Sequence, residues 1–170
     1  KRVLGPESDI VAVKNAFEVY KKLSEFDPYS LDDLKKAHGI MMGGLLLGAG
    51  ELRTDSVGVF NEQGKVIHVA PPQEMVPELM KQLFDWLSNS KANMLIRSSV
   101  FHYEFEFIHP FGDGNGRTGR LWQTALLASW KPVFEWIPIE SIIKDNQEEY
   151  YRAIRLSTAE DKSNRFILFM

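Results

Sequence analysis

The 170-residue chain contains no cysteine, which excludes a disulfide framework, thiolate catalysis and cysteine-bound zinc, and fits a reducing compartment. It also lacks a surplus of positive charge. Its 20 Lys and Arg stand against 23 Asp and Glu, a net charge of −3, so no basic field draws in nucleic acid or an anionic membrane surface. Long apolar runs are missing as well. The most apolar stretch, residues 40–50, is interrupted by Gly43, Gly44, Gly48 and Gly50, too short and too broken to span a bilayer. No nucleic-acid or membrane partner is expected, and the cytoplasm is the default compartment. The chain begins at Lys1 rather than Met, with neither a signal nor a transit pattern, and reads as a fragment of a longer protein that carries one domain over residues 1–170.

What remains is mostly helical patterning. Ser8 is a candidate cap for a helix to about Leu23, with Ile10, Val11, Phe17 and the set Val13, Ala16, Tyr20 at helical spacing. Ser30, with Asp33 three residues on, opens a second helix that His38-Gly39 would close. Two β-rich runs, 56–60 and 65–69, flank the turn-forming 61–64 and predict one hairpin ended by Pro71-Pro72. Pro77 suits the first turn of a helix bearing Met80, Leu83, Phe84 and Leu87. Ser90 is a candidate cap for a segment to Ile108, apolar on all sides and so predicted to be central. A helical pattern resumes over 117–130, another follows Asn146, and a last one lies near Asp161.

Between the two most apolar helices stands His109-Pro110-Phe111-Gly112-Asp113-Gly114-Asn115-Gly116-Arg117-Thr118-Gly119-Arg120. His109 precedes a proline and so falls where helix gives way to loop. Gly114 and Gly116 allow positive φ and leave room for backbone N–H groups to converge on an oxyanion at the start of the next helix. Arg117 and Arg120, three apart, share a helical face and suit a polyphosphate. Asp113 is a lone carboxylate, suited to Mg²⁺ bridging phosphate oxygens, and His109 is a base near neutral pH. Base, metal ligand, oxyanion donors and arginine pair together are what transfer of a phosphate-containing group to a hydroxyl needs.

This string resembles the Fic-family motif His-Pro-Phe-x-Asp-Gly-Asn-Gly-Arg-x-x-Arg at all nine fixed positions. Gly50-Glu51-Leu52-Arg53 with the hairpin resembles the family's flap, Pro71-Pro72 with 76–87 the helix after it, and Asn146 to Ala153 a downstream element. The resemblance implies an all-α Fic fold, a helical bundle with a small β-hairpin flap. It implies a protein adenylyltransferase that moves AMP from ATP to a Ser, Thr or Tyr hydroxyl of a target protein and releases pyrophosphate.

By the same resemblance His109 is the general base and Asp113 holds Mg²⁺ across the α- and β-phosphates. Asn115 and the N–H groups around Gly114 and Gly116 stabilise the α-phosphate, while Arg117 and Arg120 hold the leaving pyrophosphate. Asn146, Tyr150 and Tyr151 resemble the adenine side of the pocket; Asn146 with Glu149 also reads as a capping pair, and the tyrosines as core. The hairpin, through Val57, Val59, Lys65 and Ile67, takes the target as an added strand or is an ordinary surface hairpin. Phe111 anchors the loop in the core. His102, Glu106 and His109 share a helical face without an HExxH pattern, so His102 reads as structural; His38 and His68 read as cap and hairpin residues.

Relatives that transfer phosphate itself carry lysine at the position of Gly116, so the glycine argues for nucleotidyl transfer, with UMP or GMP as open alternatives. Many relatives are restrained by a Ser/Thr-x-x-x-Glu-Gly/Asn helix whose glutamate pairs with the arginine equivalent to Arg120. No Ser or Thr of this sequence has Glu four residues on. Any such helix is therefore expected outside 1–170, or on an antitoxin acting in trans. The alternatives to the transferase are a nucleotide-binding regulatory module and an enzyme that removes AMP.

Overall fold

The computed structural model describes residues 6–60 and 66–170, with 59, 60 and 66–68 placed by their backbone alone. The predicted turn 61–64 and Lys65 lie outside the described residues. The fold is all-α with one small hairpin: α1 Glu7–Lys21, α2 Leu31–Met42, β1 Gly58–Phe60, β2 Val66–Val69, α3 Val76–Asn89, α4 Met94–Ile108, α5 Asn115–Trp130, α6 Ile139–Asp145, α7 Gln147–Glu160 and α8 Asn164–Phe169. Among the described residues no helix is long and apolar enough to cross a membrane.

Pro6 rather than Ser8 caps α1, because proline's fixed φ presets the entry to a helix, and Glu7 and Asp9 in the first turn answer its positive end. None of the expected apolar face is fully buried: Ile10, Val11, Ala16 and Tyr20 are half-buried, Val13 and Phe17 face solvent, and the buried residue of α1 is Val19. In α2 the Ser30 hydroxyl accepts from the Asp33 N–H at 3.2 Å, the predicted cap. The helix does not stop at His38-Gly39 but continues to Met42. Gly39 lies against the 49–50 backbone, where a Cβ would make ordinary contacts, 3.6 Å to the Ala49 carbonyl oxygen and 3.7 Å to Gly50 Cα. Leu34, Ala37, His38, Met41 and Met42 follow helical spacing into the core.

The hairpin is antiparallel, pairing Gly58 with Val69, Val59 with His68 and Phe60 with Val66, and its register slips between Val59 and Phe60. Pro77 lies in the first turn of α3, whose Met80, Leu83, Phe84 and Leu87 are all buried. Ser90 does not cap the central helix. It ends α3, its N–H donating to Trp86, and Asn93 caps α4 by accepting from the Leu95 N–H at 2.9 Å. The predicted central helix is α4, packed against α3 and α5, with Phe101, Phe105 and Ile108 buried. Helix α6 was not foreseen, although Ile139, Ile142 and Ile143 carry its period.

Two apolar clusters share α4 and α5. One joins Phe101, Phe105, Phe111 and Trp122 to α1–α3; the other joins Tyr103 and Leu127 to Ile139, Ile143, Tyr150 and Phe166 of α6–α8. Burying each large side chain contributes about 1.5–3 kcal/mol, so α4 and α5 form the frame on which the connecting loop is held.

Candidate functional site

His109 ends α4 in the left-handed region, φ 51° and ψ 60°, with its N–H still donating to Phe105 at 2.9 Å. Pro110 disfavours right-handed helix at this residue, and a non-glycine in the left-handed well costs about 1–2 kcal/mol. The chain then turns inward. Phe111 is completely buried, stacked on His38 with ring centroids 3.7 Å apart, which agrees with its expected anchoring role.

His38 is not a cap. It is buried, its Nδ1 accepts from the Gly50 N–H at 2.8 Å, and Nε2 therefore carries the proton that is donated to the Asp113 carbonyl at 2.9 Å. Burial holds its pKa below the ordinary histidine value, so the ring is a neutral brace between the 43–50 turn and the loop. Its partners lie 12 and 75 residues away, Gly50 and Asp113, so no local signal in the sequence marks this role.

Asn115 closes the loop. Its Oδ1 accepts from the Phe111 N–H at 2.9 Å and its Nδ2 donates to the Phe111 carbonyl at 2.8 Å. In this structure the amide is used to shape the loop. Gly114, at φ 80°, is required twice over, because a Cβ would also lie 2.5 Å from Met42 Sδ. Gly116 is helical and does not use the positive φ it permits; its missing Cβ leaves room for Arg120 Nη1, which would lie 3.0 Å from one. The first α-helical bond of α5 runs from the Thr118 N–H to Gly114, leaving the N–H groups of 115–117 pointing out of the helix end.

Asp113 sits exposed at this end, one oxygen accepting from the Gly114 N–H at 2.6 Å and the other 3.7 Å from Arg117. Among the described residues no group of three potential metal ligands occurs. A single carboxylate fits Mg²⁺ only together with substrate phosphates, the usual mode of binding of that ion.

Arg120 lies one turn further, beside a pocket of about 420 Å³ lined by Arg120, Glu140, Lys144, Gln147, Tyr150 and Tyr151 among others. Its Nε donates to Glu140 Oε2 at 2.5 Å, and Tyr20 donates to the other oxygen of Glu140 at 3.2 Å. Burial pulls the Arg120 pKa down, but Glu140 more than offsets this and holds the guanidinium above its ordinary value. Each arginine thus has a carboxylate partner. Glu140 and Lys144 were not anticipated, because α6 was not; Gln147 opens α7, which was expected, but carried no signal of its own.

Tyr150 and Tyr151 line this pocket, and Tyr150 also belongs to the core: its hydroxyl donates to His102 Nε2 at 3.1 Å, while His102 Nδ1 donates to Gln123 at 3.0 Å. His102 is structural, with burial depressing its pKa to about 3. Asn146 is a correction. It is exposed, donates to the Ile142 carbonyl at 2.8 Å, makes no side-chain cap with Glu149, and lines a different cavity of about 730 Å³ beside Ile142 and Phe169. Of the hairpin residues, Val57 is half-buried, and Val59 and Ile67 are placed in β1 and β2.

The site thus sets an open helix N-terminus beside a histidine on one side and two guanidinium groups on the other, an arrangement able to accept an anion, within a helical domain. The chain belongs to the Fic/DOC family, whose model matches residues 28–127. It is 33% identical over 144 residues to the protein adenylyltransferase fic-1 of Caenorhabditis elegans, covering 81% of this chain and 26% of that protein. It is 37% identical over 86 residues to a probable protein adenylyltransferase of Aquifex aeolicus, covering 50% of this chain and 25% of the relative. A Fic family protein from Desulfovibrio desulfuricans G20 superposes with TM-score 0.95 at 46% identity, over 99% of this chain and 52% of that one. The chain therefore spans about a quarter of the curated relatives it matches.

Proposed function

We propose that this domain is a protein adenylyltransferase, moving AMP from ATP to a Ser, Thr or Tyr hydroxyl of a target protein. The observation that carries the reading is the juxtaposition, across one loop, of His109 at the end of α4 and the open N-terminus of α5 with Arg117 and Arg120. The family membership and the names of the relatives support it.

In this reading neutral His109 takes the proton of the target hydroxyl as its oxygen attacks the α-phosphorus. The bond from that phosphorus to the bridging oxygen breaks, and pyrophosphate leaves. A positioned base contributes about 10²–10⁴-fold. The N–H groups of 115–117 take up charge on the α-phosphate, and Arg117 and Arg120 receive the charge that grows on the leaving group. Asp113 would hold Mg²⁺ against the phosphates, where the ion neutralises their charge. The base would lie between Tyr151, Gln147 and Lys144. The hairpin would present the target as an added strand, and restraint by a segment outside 1–170 or by a partner protein is compatible with this site.

Intact-mass spectrometry of the chain and candidate targets, incubated with Mg²⁺ and each nucleoside triphosphate, tests the reading. An AMP adduct that disappears in His109→Ala supports it; a UMP or GMP adduct keeps the mechanism and changes the base. Nucleotide binding without any adduct, lost in Arg120→Ala, turns the reading into a nucleotide-binding or AMP-removing protein.

A further inference from the structure

The guanidinium of Arg53 is buried, yet among the described residues no carboxylate forms an ion pair with it. Its partners are backbone carbonyls. Nε donates to His109 at 2.8 Å, Nη1 to Asp55 at 2.8 Å, and Nη2 to Pro71 at 2.5 Å and to Ile108 at 3.3 Å. Its own N–H donates to the Pro110 carbonyl at 2.9 Å.

These acceptors fall into two groups. Ile108, His109 and Pro110 make the turn that carries the histidine, and the first two are terminal carbonyls of α4, the negative end of its dipole. Asp55 precedes β1 and Pro71 follows β2, so they are the two legs of the hairpin. One rigid fork thus bonds both legs of the hairpin and the left-handed turn at once. Burial holds the Arg53 pKa below its ordinary value although Glu74 attracts it from beyond ion-pair distance; desolvating a cation without a bonded carboxylate is unfavourable, and an apolar side chain would fill the space at less cost. Such a group is retained for the geometry it imposes. Lysine, with one nitrogen on a flexible stem, cannot reproduce it.

We propose that Arg53 is a positioning residue that couples the hairpin to His109, setting the general base and the incoming hydroxyl in one frame. This rests on the transferase reading of the site. The residue touches no substrate; it acts through the His109 carbonyl on one side and the hairpin legs on the other. Misplacement of reacting groups by about 1 Å costs on the order of 10²-fold in rate, which is the effect expected here.

The test compares the wild-type chain with Arg53→Lys and Arg53→Ala, the latter with and without low-millimolar guanidinium chloride. Hydrogen exchange is followed in segments 54–58 and 106–116, binding of a non-hydrolysable ATP analogue by calorimetry, and Mg²⁺-ATP-dependent self-modification by intact mass. In Arg53→Lys, exchange rises in both segments together, self-modification slows by about 100-fold, and the analogue affinity stays within about twofold. Guanidinium restores rate and protection to Arg53→Ala. Wild-type rates in Arg53→Lys, or loosening of one segment without the other, overturn the proposal, and the lysine variant keeps the test decisive if the alanine variant does not fold. Absence of any adduct in the wild type overturns the transferase reading instead, and the paired exchange result then decides alone whether Arg53 couples the two segments.

Discussion

Arg120 donates its Nε–H to Glu140 Oε2 at 2.5 Å across the mouth of the pocket between α5 and α6. The cation that a polyphosphate would use is therefore already engaged. Tyr20, from α1, donates to the same carboxylate, so three helices meet at this pair.

Replacement of Glu140 by glutamine removes the competing charge and keeps the shape. A charge-assisted bond of this kind is worth about 1 kcal/mol net after solvent screening, so affinity for a nucleoside triphosphate should rise about fivefold. Isothermal titration of ATP into the two proteins measures it. Weaker binding in Glu140→Gln would mean that the carboxylate orients Arg120 rather than competing for it.

Gly114 has a conformational and a steric requirement in one residue. In Gly114→Ala the left-handed backbone costs about 1–2 kcal/mol and the new methyl displaces Met42, lowering the melting temperature by at least about 3 °C. Calorimetry reads the first effect. Loss of ATP binding out of proportion to the loss of stability reads the second, since the same turn aims the N–H groups of α5.

The buried pair Glu106 and His102 makes stability depend on pH in two opposing ways. Burial raises the Glu106 pKa to about 7, with Arg120 partly countering, and lowers that of His102 to about 3. The unfolded glutamate ionises near about 4.3, so its contribution falls as pH rises from there to about 7. The histidine acts the other way: its contribution is complete above about 6.5 and is lost as pH falls toward about 3. Between pH 4.5 and 6.5 the two slopes offset each other. In Glu106→Gln only the histidine remains, and urea unfolding at pH 5, 6 and 7 should show stability rising with pH more steeply than in the wild type. Equal slopes in the two proteins would remove Glu106 as a titrating group in this range.

Asn146 and Lys144 separate a likeness in sequence from a place in the fold. Asn146→Ala should change nucleotide affinity by less than about twofold, because its side chain lies outside the pocket, whereas Lys144→Ala should weaken it by about 3- to 10-fold through loss of a cation. Fluorescence titration with a labelled ATP analogue distinguishes them, and the opposite ranking would move the base to the cavity beside Ile142.

Much of this site was legible before any coordinates. The 109–120 string shows much of this residue by residue: proline after the histidine, glycine at 114 where φ is positive, arginines one turn apart; that Asn115 closes the loop came only with the structure. Ser30 with Asp33, and Pro77 at the start of α3, are equally local. Errors arose where two local signals were equivalent. Ser90 and Asn93 are both good caps, and packing of α3 against α4 chose the second; Gly39 is a plausible helix end until the 49–50 backbone is found against it.

The sequence by itself determined the helical class, the hairpin and the chemistry of the loop, because each depends on backbone preferences and side chains within a few residues of one another. Only the tertiary structure decided what those side chains meet. That Glu140 sits on Arg120, that Arg53 bonds the His109 turn and that His38 braces Asp113 follow from contacts across 20 or more residues, and the place of Asn146 outside the pocket follows from how α6 and α7 are set. Such contacts are set by how α4, α5 and α6 pack, and no periodicity or motif within one segment encodes them.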